Sequence, residues 1–306
     1  MDYELIVVGA GPAGLSAALT AAYFKLKTLV IESASAGGAL ANKYPWKKVY
    51  NYLGLVDMTG AEVAAKMVEH VRAEGVRINE NEVVTDIKRE NSYLIVFTNK
   101  REYTSKSVIL AIGLSIPKRL GIEGESLEGV IHSLPDPKKY RGKKVLVVGG
   151  GDTAVEYALA LQSNKAETTI IHRRDTFRTS EENKKKIENS GIEILYNTEI
   201  KEILGNKNVE KASLINNKTG WEEIRFFDVI LFCLGTTPNT EFLQKIGIKM
   251  DEKNNIVIDN NARTNIEGIF AAGDIVGRWR RIPEAIGEGG FAAINAFKYM
   301  KNPYWA

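Results

Sequence analysis

Cysteine is almost absent from this chain of 306 residues, which has a single one, Cys233, and no Cys-x-x-Cys pair. One thiol cannot form an intramolecular disulfide, so a disulfide-stapled fold and an internal dithiol redox centre are both excluded. Cys233 lies in the apolar run DVILFCLG. We therefore interpret it as a buried, inert thiol that behaves as a small hydrophobic side chain.

Long hydrophobic runs and blocks of one charge are also missing. No apolar run approaches the roughly 20 residues that span a bilayer, and the start, MDYELIVVG, lacks the basic region of a signal peptide. The net charge is only +3, without the basic runs of nucleic-acid proteins. We expect a cytoplasmic protein of two domains that contacts neither membrane nor nucleic acid and holds no metal.

A glycine-rich turn follows the first predicted strand: DYELIVV is the strand, GAGPAG the turn, LSAALTAAYF a helix and KTLVIE the next strand. In this context Gly9 permits the tight turn, Gly11 lets the backbone approach a diphosphate, and Gly14 allows close packing of helix on strand. The helix beginning at Pro12 and Ala13 turns its positive dipole end toward the phosphates. Glu32, which ends the second strand, is placed to bind the ribose hydroxyls.

The same pattern occurs again in KKVLVVGGGDTAVEYALAL, with Gly149, Gly151 and Ala154 at the three motif positions. Asp152 and Thr153 begin the helix. The place of Glu32 is taken here by a basic group, which we interpret as a site for the 2′-phosphate of NADP(H), with a solvated basic turn as the alternative. Its residues are His172, Arg173, Arg174 and Arg178.

Two dinucleotide loops in one chain predict two cofactors, a resident FAD and a second nucleotide, NADPH, with which it exchanges electrons. A later segment, GIFAAGDIVG, supplies Gly273 and Asp274, and an aspartate here can bind the ribityl chain of a flavin. The next helix begins near Arg281 and Ile282, where its N-terminus can face the N1–O2 edge of the flavin.

Apolar strands at Ser107–Gly113 and Asp228–Asn239 lie on either side of the second glycine-rich loop in the sequence. The segment SIPKRLGIEG contains the proline and glycine residues that are typical of a linker. We therefore predict an α/β fold of two Rossmann-like, three-layer domains. An NADP(H) domain at residues 118–235 is inserted into a discontinuous FAD domain at 1–115 and 238–306.

The segments VVGAGPAGLSAA, GGAL, VVGGGDTAVEYAL, IIHRRDTFR and IFAAGDI together resemble the thioredoxin-reductase-like pyridine nucleotide flavoproteins along essentially the whole chain. The resemblance implies the inserted-domain fold and a homodimer. It also implies further FAD-site residues, with Ala111 and Gly113 near the adenine half. These residues are Gly38, Ala39, Leu40, Asn51, Val84, Ala111 and Gly113.

Thioredoxin reductases of this kind carry a Cys-x-x-Cys just before the second glycine loop, where this chain reads GVIHSLPDPKKYRGKKVLVVGGG. In this respect it is similar to the ferredoxin–NADP reductases built on the same scaffold, which share the Tyr-Pro loop and HRRDTFR. The resemblance implies that Tyr44 stacks on the isoalloxazine ring; the alternative is a packed loop aromatic. That branch has a C-terminal extension that covers the flavin. Tyr304 and Trp305 either replace this extension in part or only cap the last helix.

The sequence therefore predicts an FAD enzyme that passes electrons between NADPH and ferredoxin, with Tyr44 as modulator. Ferredoxins are generally acidic, and three basic segments are candidates for docking: Lys43, Lys47 and Lys48 around Trp46; Arg278, Arg280 and Arg281 around Trp279; and Lys138, Lys139, Arg141, Lys143 and Lys144. One alternative is an NADPH oxidoreductase acting on oxygen, a quinone or another small acceptor. The other is a non-catalytic sensor or subunit that binds FAD and NADP(H).

Overall fold

The computed structural model describes residues 1–114 and 116–302, and the chain divides into two compact units. The first unit comprises Met1–Ile116 and Thr236–Ala306, and the second comprises Pro117–Gly235. The second unit is thus an insertion between two segments of the first. Tyr304 and Trp305 lie outside the described residues.

The amino-terminal segment of the first unit alternates strands and helices before it ends in an antiparallel excursion. Its elements are β1 (Tyr3–Val8), α1 (Pro12–Tyr23), β2 (Thr28–Ile31), α2 (Gly38–Asn42), α3 (Gly60–Ala73), β3 (Arg77–Asn79), β4 (Val84–Glu90), β5 (Tyr93–Thr98) and β6 (Glu102–Leu110). Helix α3 begins with a reciprocal capping box, in which Thr59 and Glu62 satisfy each other's backbone amides.

A short strand, β7 (Ile116–Pro117), leads into the second unit. That unit contains β8 (Val130–Ile131), β9 (Lys144–Val148), α4 (Asp152–Ser163), β10 (Glu167–His172), α5 (Glu181–Glu188), β11 (Glu193–Tyr196), β12 (Thr198–Leu204), β13 (Lys211–Asn216), β14 (Glu222–Phe226) and β15 (Val229–Phe232). The carboxy-terminal segment of the first unit then adds β16 (Thr236–Thr237), α6 (Thr240–Lys245), β17 (Ile269–Ala271) and α7 (Ile282–Lys301).

The first unit is built on a seven-stranded sheet in the order β3-β2-β1-β6-β5-β4, with β17 also paired to β6. The pairs among β3, β2, β1, β6 and β17 are parallel, whereas β4 and β5 run antiparallel. Side chains of β1 alternate between two cores: Leu5 and Val7 belong to one, and Ile6 and Val8 to the other. The sheet is therefore covered on both faces, as a parallel sheet requires.

Helices α1 and α7 pack together in the first of these cores. Small side chains along α7 (Ala285, Gly289, Ala292, Ala293 and Ala296) are buried at helical spacing. At the far end Phe24 stacks on Phe297, with ring centroids 4.4 Å apart. This packing fixes the start of α7 relative to the start of α1, which matters for the site described below.

The second unit has a parallel five-stranded sheet in the order β11-β10-β9-β15-β8 and a three-stranded antiparallel sheet, β12-β13-β14. Strand β9, at the centre, is followed directly by the second glycine-rich turn and α4. The predicted α/β class with two Rossmann-like units is confirmed. Among the described residues, no helix has both the length and the apolar character needed to span a membrane.

Candidate functional site

The turn between β1 and α1 is closed by glycines that leave no room for a side chain. Gly9 has φ +103°, and a Cβ added to it would lie 2.4 Å from the Ala111 carbonyl oxygen. A Cβ on Gly14 would lie 1.9 Å from the Gly9 carbonyl oxygen. Gly11 is the N-cap of α1 and Pro12 occupies the first turn, where its missing N–H costs nothing. The turn thus presents bare backbone at a helix N-terminus.

Three other segments converge on this turn, each through a glycine. A Cβ added to Gly38 would lie 2.7 Å from Gly11 Cα, and one added to Gly273 would lie 2.8 Å from Ala13 Cβ. A Cβ added to Gly289 would lie 2.0 Å from the Ala13 carbonyl oxygen. The starts of α1 and α2, α7 at Gly289 and the segment that follows β17 therefore meet at one place. The structure brings together most of the predicted FAD residues here.

One side of this backbone cradle is open. The Cβ direction of Gly11 meets nothing closer than Gly38 Cα at 3.8 Å, and that of Gly113 meets nothing within 4 Å. A diphosphate needs this arrangement, because its oxygens must approach backbone N–H groups at a helix N-terminus. The residues present therefore fit the diphosphate of FAD.

Glu32 is held over the turn by backbone hydrogen bonds. Its side chain is buried. One oxygen, Oε2, accepts from the Ala10 amide at 2.7 Å, and the other, Oε1, accepts from the Ala34 amide at 2.9 Å and the Ser33 hydroxyl at 3.1 Å. A carboxylate offers about four acceptor positions. Oε2 retains capacity to accept from a ribose hydroxyl.

Asp274 and Glu288 are two further carboxylates beside the cradle. Burial raises the pKa of Asp274, and the positive charges of Arg280 and Lys43 oppose that rise. Burial likewise raises the pKa of Glu288, whose Oε2 accepts from the Gly273 amide at 2.8 Å. Glu288 therefore fixes the backbone next to Asp274.

The loop that begins with α2 carries the remaining predicted flavin contacts. Leu40 lies in a small buried cluster with Val49 and Val63, and Ile282 packs against that cluster. The half-buried Tyr44 donates its amide to the Ala39 carbonyl at 3.0 Å. Proximity of the Tyr44 ring to a flavin stays a prediction.

For three further predicted residues the structure shows the exposure of the side chain and its place in the chain. Asn51 is exposed, Arg281 is the exposed N-cap of α7, and Val84 is half-buried as the first residue of β4. Contact of each with FAD stays a prediction.

In the second unit the turn between β9 and α4 repeats the first one. A Cβ on Gly149 would lie 2.7 Å from the Cys233 carbonyl oxygen, whereas Gly151, the N-cap of α4, has open space apart from the Arg178 carbonyl oxygen at 3.9 Å. Ala154 is buried. Asp152 accepts from the Thr179 hydroxyl at 2.6 Å and the Ser180 amide at 3.1 Å, so its carboxylate turns toward that loop. The neighbouring Thr153 is half-buried.

The basic group lies beside this turn, on the loop after β10. Arg173, Arg174 and Arg178 are exposed, and the Arg178 amide donates to the Gly150 carbonyl at 2.7 Å. The loop that carries these three arginines therefore runs next to a glycine turn, where a 2′-phosphate can be bound. The same position in the first unit holds the carboxylate of Glu32.

His172 differs from the arginines because it is buried. Its ring stacks near Phe177, with centroids 5.7 Å apart, and burial lowers its pKa, as do the charges of Arg174 and Arg173. In the described part of the chain its Nε2 has no hydrogen-bond partner. The imidazole is therefore neutral near pH 7, and its Nε2 is buried rather than presented to solvent.

Gly150 was missed by the sequence reasoning. A Cβ on it would lie 2.2 Å from His172 Nδ1, so the imidazole packs directly on the turn backbone. The signal was the run of three glycines, whose middle member the dinucleotide motif does not require. Cys233 follows β15 and is half-buried, not buried as predicted, but desolvation raises the pKa of its thiol well above the usual range, so the reactive thiolate is suppressed.

Comparison with known proteins decides the family. The model of the pyridine nucleotide-disulphide oxidoreductases matches residues 3–289. The chain belongs to this family. The predicted membership of its thioredoxin-reductase-like flavoproteins is confirmed, and so is the prediction of FAD and NADP(H) as cofactors.

Relatives within this family carry two different names. A ferredoxin–NADP reductase of Ignicoccus hospitalis is 37% identical over 305 residues, 99% of each chain. A thioredoxin reductase of Peptoclostridium acidaminophilum is 36% identical, covering 98% of this chain and 97% of that protein. The crystal structure of Lactococcus lactis thioredoxin reductase is similar at a TM-score of 0.89 and 34% identity, covering 98% of this chain and all of that one. The family name refers to a disulphide, which a chain with one cysteine cannot form within itself.

Proposed function

We propose that this oxidoreductase passes electrons between NADP(H) and ferredoxin through FAD. The observation that carries the proposal is that the chain has a single cysteine, because electrons that reach FAD have no internal dithiol to enter. They leave directly to an external acceptor. A relative of nearly equal length, 37% identical, is named as a ferredoxin–NADP reductase.

FAD, when bound, exchanges electron pairs with a nicotinamide and single electrons with an iron–sulfur protein. The residues of the first unit bind and orient it. The cradle at Gly11 accepts the diphosphate, Glu32 accepts from the adenosine ribose, and Asp274 accepts from the ribityl chain. Tyr44 covers the ring by offset stacking, worth roughly 0.5–1.5 kcal/mol.

NADP(H) binds in the second unit. Gly151 and the start of α4 receive its diphosphate, and Arg173, Arg174 and Arg178 receive the 2′-phosphate. Bidentate guanidinium contacts favour this nucleotide over NADH, which lacks the phosphate. The enzyme needs no side-chain nucleophile in this scheme.

For an acidic ferredoxin the first unit offers Trp279, which is 74% exposed among the exposed Arg278, Arg280 and Arg281. Two lysines of the other candidate segment are less suited to docking. Lys43 is half-buried and donates to the Leu114 carbonyl at 2.9 Å, and Lys48 pairs with Asp57. We propose the loop at Trp279 as the docking surface of the first unit.

In the second unit the basic segment after β8 is partly neutralised. Lys143 lies 3.8 Å from Asp228 and Lys144 lies 3.7 Å from Glu167, whereas Lys138 and Lys139 are exposed.

By family resemblance we further propose a homodimer that works in the cytoplasm.

Anaerobic titration with NADPH tests the absence of a dithiol. We expect the flavin absorbance to be bleached by one equivalent of NADPH per FAD, with no further uptake and no reduction of added thioredoxin. Uptake of a second equivalent, or NADPH-dependent reduction of thioredoxin, would show a thioredoxin reductase instead. Bleaching that requires a great excess of NADPH would favour a binding subunit without turnover.

A further inference from the structure

Lys43 is a cation placed inside the first unit. It is the C-cap residue of α2, it is half-buried, and its Nζ donates to the Leu114 carbonyl oxygen at 2.9 Å. That carbonyl follows Gly113, at the open side of the cradle. Burying an ammonium is costly unless other charges and acceptors compensate it. The position therefore points to a role other than that of a solvated surface lysine.

The compensating charge is the carboxylate of Asp274. Burial lowers the pKa of Lys43, and the negative charge of Asp274 opposes that shift. Burial raises the pKa of Asp274, and the positive charges of Arg280 and Lys43 oppose that rise. Each group is thus stabilised in its charged form by the other. Arg280 lies on the exposed loop and donates to Asn255 at 3.4 Å, so Lys43 is the more buried of the two cations near Asp274.

The two segments that carry these charges meet at the cradle. Helix α2 starts against Gly11, and Asp274 follows Gly273, which lies against Ala13. The diphosphate of FAD is itself anionic, so a carboxylate beside it is repelled unless a cation is present. Arg280 and Lys43 are the two cations whose charges act on Asp274, and Lys43 also joins the end of α2 to the segment after β6.

We propose that Lys43 is a positioning residue of the flavin site, whose ammonium ties α2 to Leu114 and balances the Asp274 carboxylate beside bound FAD. This inference rests on the placement of FAD in the first unit. Lys43 does not belong to the glycine motif or to the residues that the sequence assigned to the cofactor. It acts on FAD through Asp274 and through the shape of the cradle.

The test is a double-mutant cycle with FAD affinity as the readout. Apoprotein of the full chain is titrated with FAD for Lys43→Met, Asp274→Asn and the double variant. We expect Lys43→Met to raise the Kd about tenfold, which corresponds to about 1.4 kcal/mol. The double variant is expected to lose less affinity than the sum of the two single losses, because the carboxylate that Lys43 balances is absent from it.

Two further variants serve as controls. Lys43→Arg keeps the charge and is expected to restore most of the affinity, and Lys66→Met, an exposed lysine of α3, is expected to leave it unchanged. NADPH affinity and circular dichroism verify that each variant is folded.

A Kd for Lys43→Met within twofold of the unmodified chain would overturn the proposal. So would strictly additive effects of the two substitutions. If instead Gly11→Ala, which blocks the cradle, still binds FAD normally, the placement of FAD in the first unit is wrong.

Discussion

The glycines of the first glycine-rich turn have different structural roles. Gly14 lacks a side chain because α1 presses on Gly9, with a Cβ position 1.9 Å from its carbonyl oxygen. Gly11 has no such constraint from the protein, since the nearest atom lies 3.8 Å away. In the proposed site, the diphosphate of FAD is what excludes a side chain at Gly11. The same substitution at the two positions separates folding from binding.

We predict that Gly11→Ala leaves stability nearly unchanged but weakens FAD binding at least tenfold, because the methyl group occupies the approach of the diphosphate. Gly14→Ala is expected to destabilise the apoprotein by about 1–3 kcal/mol through overpacking. Urea unfolding of the apoprotein and FAD titration measure the two effects. Equal loss of stability in both variants would contradict this division of roles.

We expect His172 to give the proposed NADP(H) site a dependence on pH. The pKa of His172 is below the ordinary 6.5, so the imidazole is neutral near pH 7. Its contribution to the stability of the fold is fully present above pH 6.5 and is lost as the pH falls through the lowered pKa. An anionic 2′-phosphate beside it raises the pKa and favours proton uptake on binding.

NADPH affinity should therefore rise relative to NADH affinity as the pH falls from about 8 to about 6. His172→Asn should reduce this change while leaving the arginine contacts in place. Calorimetric titration with both nucleotides, in buffers of different ionisation enthalpy, measures the proton uptake. Parallel pH curves for the two nucleotides in the unmodified chain would show that His172 does not sense the phosphate.

Helix α7 packs on α1 through small residues, and of its glycines Gly289 leaves the least room for a side chain. Gly289 is buried, and a Cβ there would lie 2.0 Å from the Ala13 carbonyl oxygen. Gly287, two residues earlier in the same helix, is exposed and has nothing within 4 Å of its Cβ position. The two glycines make a matched pair within one element.

Gly289→Ala is expected to separate α7 from α1 and to cost about 1–3 kcal/mol. Gly287→Ala is expected to stabilise the helix by up to about 1 kcal/mol, because alanine has the higher helix propensity. Thermal unfolding of the two apoproteins gives the comparison. A Gly289→Ala variant as stable as Gly287→Ala would mean that the helices do not pack as closely as described.

For the chain as a whole, short contiguous sequence patterns predicted more of the structure than patterns that join distant residues. The alternation of strands, glycine turns and helices identified both Rossmann-like units and the two cofactors, since each pattern is short and contiguous. The inward placement of Lys43 was not predictable, because its partner Leu114 lies far along the chain and Lys43 belongs to a locally basic segment. The contact of His172 with Gly150 likewise depends on how β10 and the turn after β9 meet.

The central claim is that electrons pass from NADPH through FAD to ferredoxin without a dithiol. NADPH-dependent reduction of cytochrome c by the holoenzyme, with and without an acidic ferredoxin, tests it most directly. We predict that ferredoxin raises the rate severalfold and that high salt removes the gain, because the docking surface is basic. If ferredoxin leaves the rate unchanged while NADPH still bleaches the flavin, ferredoxin is not the acceptor and the account is contradicted.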